Sequence, residues 1–236
     1  MSRQNLKIKN LMTLILLLGV SFTVFSFNAE AITLPYAQGE HPRIYIESSD
    51  LPQIAARCSQ AGQIKDLYVQ MKNQIDSESG NPTSLSRYKI GSALTYLIET
   101  ELGNSEEAVR FLGYAKNDAD TDALVYDWIY NGLTSGERTT FGNSLFADMV
   151  DYETYNDGHY YLRDWHHAYV DTGSAVMYLD FLYQIIALSG EGINDSEVQR
   201  YLNEYENWFR NVLLPFIDLE GAVDPEGGYN SPHYKR

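Results

Sequence analysis

Cysteine is almost missing from the 236 residues: Cys58 stands alone, which excludes an internal disulfide and leaves stability to packing. Its setting, Ile54-Ala55-Ala56-Arg57-Cys58, reads as one turn of an amphipathic helix, so a packed structural thiol is expected rather than a nucleophile. Basic residues are the second shortage, 17 Lys and Arg against 32 Asp and Glu, for a net charge of −15. Phosphate binding needs a basic face, so this balance argues against nucleic acid as a partner. It also repels acidic polysaccharides at long range, although screening cuts exposed charges off beyond roughly 8–10 Å and a local basic cleft can still dominate. Long apolar runs are absent after Phe27, so no later segment is expected to cross a bilayer. No fixed-period repeat stands out, which disfavours a regular array of the tetratricopeptide kind. Strand-like alternation is confined to Arg43-Ile44-Tyr45-Ile46.

What is present begins with a leader. Arg3, Lys7 and Lys9 precede an apolar run from Leu11 to Phe27 that ends at Ala29-Glu30-Ala31. This is the pattern of a secretory signal peptide over residues 1–31, cleaved after Ala31. At about 17 residues the run is short for a membrane anchor, and no cysteine directly follows it to carry a lipid. A periplasmic or secreted location is therefore expected. Residues 32–236 keep 14 basic against 31 acidic residues, a net −17, and are enough for one domain with its own core.

That remainder reads as helix after helix. Asp50-Leu51-Pro52 opens the first, with apolar residues at helical spacing from Leu51 to Met71 and a break near Gly62. A turn at Ser79-Gly80-Asn81-Pro82 precedes a helix from Leu85 to Leu102, stopped by Gly103. Another opens at Asn104 or Ser105. Ala123 to Tyr130 forms a helix predicted to end in a left-handed stop at Asn131-Gly132. Thr134-Ser135-Gly136-Glu137 is a capping box for a helix to about Val150, and so short a link predicts an antiparallel hairpin. After a tyrosine-rich loop, helix returns at about His167 to Leu188, breaks at Gly190-Glu191-Gly192 and resumes from Asp195 to Phe216. The fold class predicted is all-α, with serial hairpins suggesting an α/α toroid or solenoid arrangement.

Three clusters could carry chemistry. His41-Pro42-Arg43-Ile44-Tyr45-Ile46 is an extended entry segment, a tether in the simplest reading, in which Arg43 could instead pair with a carboxylate. Asp164-Trp165-His166-His167 lies where a polar loop enters a helix. Histidine serves there as acid, base or anion partner, and the tryptophan offers a flat surface for a sugar ring. Adjacent histidines on a helix point about 100° apart, so one of the two is expected to face a given cleft. His159 adds a third imidazole, but the spacing matches no zinc motif, and no metal is expected. Asp224-Pro225-Glu226-Gly227-Gly228-Tyr229-Asn230-Ser231-Pro232-His233-Tyr234 is an irregular loop rich in glycine, proline and tyrosine.

Taken in order, these segments resemble the N-terminal helical region of the heparinase II/III-like polysaccharide lyases and their alginate-lyase relatives. The likeness rests on His41-Pro42-Arg43-Ile44-Tyr45 with Asp50-Leu51-Pro52, on Tyr126-Asp127-Trp128 with Leu133-Thr134 and Glu137-Arg138, on Trp165-His166-His167, and on Gly227-Gly228-Tyr229-Asn230-Ser231-Pro232-His233-Tyr234. It implies an α/α toroid, here incomplete, and a β-sandwich domain that this chain lacks. It implies β-elimination at a uronic acid of alginate or a glycosaminoglycan, with no organic cofactor. One of His166 and His167 would hold the uronate carboxylate or act as base, and Tyr234, or next Tyr229, would be the catalytic tyrosine. Asp164, Trp165, Arg43, Asn230 and His233 would contact substrate. The family's asparagine is replaced by Asp164 or Trp165.

Two other classes fit the same sequence. A toroid-type glycoside hydrolase would draft two carboxylates from Asp157, Asp164 and Asp224. A non-catalytic glycan-binding fragment would use some of the 19 tyrosines and three tryptophans as stacking surface.

Overall fold

The computed structural model describes residues 33–81, 87–119, 121–154 and 172–214, of which those from Leu34 on belong to one compact unit. The expected signal peptide therefore lies outside the described residues. Eight α-helices appear among them: α1 Leu51–Ser59, α2 Gln63–Glu78, α3 Lys89–Glu101, α4 Ser105–Ala115, α5 Ala123–Ile129, α6 Ser135–Thr154, α7 Thr172–Leu188 and α8 Asp195–Trp208. A π-helical turn, Phe209–Leu213, continues α8. No strand occurs among the described residues, so the all-α prediction holds for them.

The local signals act where the sequence places them. Helix one is broken into α1 and α2 at Gly62, and Pro52 sits in the first turn of α1. At the start of α6, Thr134 Oγ1 accepts from the Glu137 amide at 3.3 Å while Glu137 Oε2 accepts from the Thr134 amide at 2.8 Å. Each side chain satisfies a backbone donor that the first turn would otherwise leave unpaired. Lys116 reaches the same carboxylate at 2.7 Å. The bond from Lys116 and those from Thr134 hold the Glu137 carboxyl at about 2, below its ordinary value.

Two details differ from expectation. The helix Ala123–Ile129 does not end in a left-handed glycine. Tyr130–Gly132 tighten into a 3₁₀ turn, and Leu133 leaves in extended conformation. Gly132 is needed for space instead: a Cβ there would stand 2.7 Å from the Tyr96 hydroxyl and 2.9 Å from Leu112. The hairpin of α5 and α6 is also minor packing, because α5 makes its broader contacts with α3 and α7. The reason is burial on all sides, with every residue of α5 but Leu124 inside. A helix buried all round belongs in the core rather than on one side of a hairpin.

Tyr126, Ile129, Phe111, Ile98, Leu145, Ile185 and Leu188 are all but fully buried. Phe181 of α7 meets Tyr201 of α8 edge to face, ring centres 5.2 Å apart. Ala55 of α1 packs with Tyr68 and Ile98, and Cys58 packs against this cluster. Burial and the nearby Glu99 push the Cys58 thiol up, which fits a packed thiol. Glu99 itself ties three elements together, accepting from Tyr68 at 2.6 Å, Lys72 at 2.5 Å and Asn104 at 2.6 Å.

Candidate functional site

The entry segment 41–44 is buried although two of its four residues, His41 and Arg43, carry polar side chains. Its polar groups must then be paired inside the protein, and Asp127 on α5 does most of that. One carboxylate oxygen faces His41 Nδ1 at 2.6 Å, and the pair accepts from the amides of Arg43 at 2.9 Å and Ile44 at 3.0 Å. Trp128 Nε1 donates to Ile44 O at 2.9 Å, and Asn131 to His41 O at 2.8 Å. The segment is held by these bonds, and no strand lies beside it among the described residues.

Glu191 closes the other side. Positive φ at Gly190 (75°) and Gly192 (79°) turns the chain tightly around it. Its carboxylate pairs with Arg43 and Tyr130, accepts from the Gly39 amide at 3.0 Å and lies 3.2 Å from His41 Nε2. Burial pushes the Glu191 carboxyl up, but His41, Tyr130 and the Gly39 amide overcome it and hold it at about 2. The His41 ring, with a carboxylate at each nitrogen, stacks on Tyr130 at 3.8 Å. Arg43 spends the rest of its guanidinium on the carbonyls of Ala37, Glu40, Ile186 and Ser189. Its carboxylate partner is thus internal, and only 1 % of its side chain is exposed. The geometry supports the tether reading of this segment.

The tether delivers Tyr45 to the surface. Tyr45 has a φ of 62° and is 74 % exposed, with its hydroxyl bonded to that of Tyr183 on α7 and the rings edge to face at 5.5 Å. Burial and this bond push the Tyr183 hydroxyl up to about 12, so it stays neutral near pH 7.

Tyr183 also lines a cleft of about 210 Å³ with Lys89, Asp122, Asp148, Asp180 and Gln184. Asp122 is the N-cap of α5, accepting from the amides of Leu124 and Val125 at 3.0 and 3.1 Å, and its second oxygen takes Lys89 at 3.2 Å. Asp180, Tyr183 and Gln184 share one face of α7 through i, i+3 and i+4 spacing. Asp180 stands at the rim, where partial burial and then Asp122 push its carboxyl up against the opposing pull of Lys89. Among the described residues no group of three histidine, cysteine or carboxylate side chains could hold a metal ion.

Of the residues given a catalytic or substrate-contacting role from sequence, Arg43 falls within the described residues. Asp164, Trp165, His166, His167, Tyr229, Asn230, His233 and Tyr234 lie outside the described residues, as do His159, Asp157 and Asp224. Lys89, Asp122, Asp180, Gln184 and Glu191 were not anticipated. A usable signal existed for Asp122, which precedes a helix as a cap, and for the polar triplet of α7, whose helical spacing sits within an otherwise apolar run. No family model, curated protein or solved structure matches this chain.

Proposed function

We propose that the protein is a polysaccharide lyase-like protein acting on a uronic-acid polymer, alginate or a glycosaminoglycan, by β-elimination. The observation that carries the reading is the union of two lyase-like segments far apart in sequence. His41-Pro42-Arg43-Ile44 is bound through Asp127 and Trp128 to the Tyr126-Asp127-Trp128 helix. Short scattered likenesses carry more weight when they form one interlocked unit of the fold.

The chemistry follows from the weak acidity of the proton beside the uronate carboxylate. That carboxylate must be neutralised, the proton removed and the departing glycosidic oxygen protonated as the carbon–carbon double bond forms. His166 or His167 would neutralise the carboxylate or take the proton, and Tyr234 would act as base, acid or both. Trp165 would offer the sugar a stacking face. Purified protein incubated with alginate, heparan sulfate, chondroitin or hyaluronan should show the ultraviolet absorbance of an unsaturated sugar end, and Tyr234→Phe should abolish it. Folded protein that produces no such absorbance on any of these polymers overturns the reading.

The acidic cleft favours a second reading, a glycan-binding protein or hydrolase for neutral or cationic sugars, since Asp122, Asp148 and Asp180 would repel a uronate. New reducing ends without ultraviolet absorbance would identify the hydrolase.

A further inference from the structure

The wall of the cleft between α3, α5, α6 and α7 includes Gln184, one of whose polar atoms the protein itself does not satisfy. Gln184 is 5 % exposed, and its Oε1 is buried without a hydrogen-bond partner among the described residues. A buried acceptor without a donor is destabilising, and a ligand that brings a donor removes that penalty. Among the described residues the wall carries Asp122, Asp148 and Asp180 together with Lys89, and that lysine is engaged by Asp122 at 3.2 Å.

We infer that this cleft binds a small polar molecule through a protonated primary amine, which donates to Gln184 Oε1 and pairs with Asp180. An ammonium group supplies three donors and a positive charge on one atom, the combination that a neutral amide oxygen and a carboxylate accept together. It also relieves Asp180, whose carboxyl burial and Asp122 now push up. Size limits the rest of the molecule. A volume of about 210 Å³ lies under the roughly 300 Å³ at which pockets for larger ligands begin, so the site takes one ring or a short chain. The Tyr183 ring lines the same space and offers a face to a cation or to the apolar side of a sugar ring. A metal ion is a poorer occupant, because the aspartates do not group into a ligand set. The amine can come from an amino sugar or from a linear polyamine. The inference does not depend on the elimination chemistry, and its readout involves no cleavage.

The test is calorimetric titration of the full chain with glucosamine, putrescine, N-acetylglucosamine and glucose, repeated on Asp180→Asn and Gln184→Leu. Asp180 is at the solvent-facing rim, so its substitution leaves the core intact, and thermal unfolding of both variants confirms that they fold. Saturable binding of glucosamine or putrescine is expected, weakened about tenfold or more by Asp180→Asn, as loss of a charge-assisted bond predicts. Gln184→Leu should weaken it as well, while leaving stability unchanged or raised. The tighter of the two amines identifies the source. N-Acetylglucosamine and glucose, which lack the charge, should bind at least tenfold more weakly. Equal binding of the neutral sugars, amine binding indifferent to Asp180→Asn, or no saturable binding of either amine to folded protein overturns the inference.

Discussion

Gly132 shows how one residue can be required for a reason its sequence context conceals. Asn131-Gly132 after a helix reads as a left-handed stop, yet the chain turns there through a 3₁₀ segment, and what the position demands is the absence of a Cβ. Tyr96 is a stiff ring, itself buried, so it cannot swing clear of an added methyl. Gly132→Ala should therefore lower unfolding stability by about 1–3 kcal/mol, the usual range for overpacking, measured as a fall in the denaturant midpoint with an unchanged slope. A variant as stable as wild type would mean that the Tyr96 and Leu112 contacts relax at no cost.

At the scale of elements, the extended entry segment is held by a helix through side chains rather than by a sheet through backbone. Asp127 is fully buried and accepts from His41 and from two amides of that segment. Asp127→Ala leaves these donors buried and unpartnered at once, a loss of about 3–5 kcal/mol when a buried charged partner is removed. Hydrogen exchange at the Arg43 and Ile44 amides should accelerate in the variant far more than exchange in α8, which the segment does not hold. Uniform acceleration would show that the tether opens only with the whole fold. Asp127→Asn should retain part of the protection, since one carbonyl oxygen still accepts. Elements were also where the sequence was most legible: the capping box at Thr134 and Glu137, the break at Gly62 and the pair Gly190 and Gly192 each act through bonds or backbone angles within a few residues. The importance of Glu191 was not legible, because its partners His41 and Tyr130 are 150 and 61 residues away.

For the whole molecule, the paired carboxylates set the response to acid. Glu191 and Glu137 are each held at about 2 in the folded protein against an ordinary value of 4.5, and Glu99 is lowered too. The unfolded chain thus binds protons first as pH falls, so the stability these groups contribute is complete above about pH 4.5 and is lost progressively as pH falls toward 2. Denaturant unfolding from pH 7 to pH 2.5 should show this decline, and Glu191→Gln should start from lower stability with a shallower slope. An unchanged slope would remove Glu191 from the acid response. The helical class, the places where helices start and break, and the excess of acidic charge were determined by sequence alone, because spacing and capping act within a turn or two. What only tertiary structure decided was the pairing of Arg43 with Glu191 and the meeting of Lys89, Asp122, Asp180 and Gln184 in one cleft. Those groups come together because α3, α5 and α7 pack against one another, and burial then leaves their polar atoms no choice but each other or a ligand.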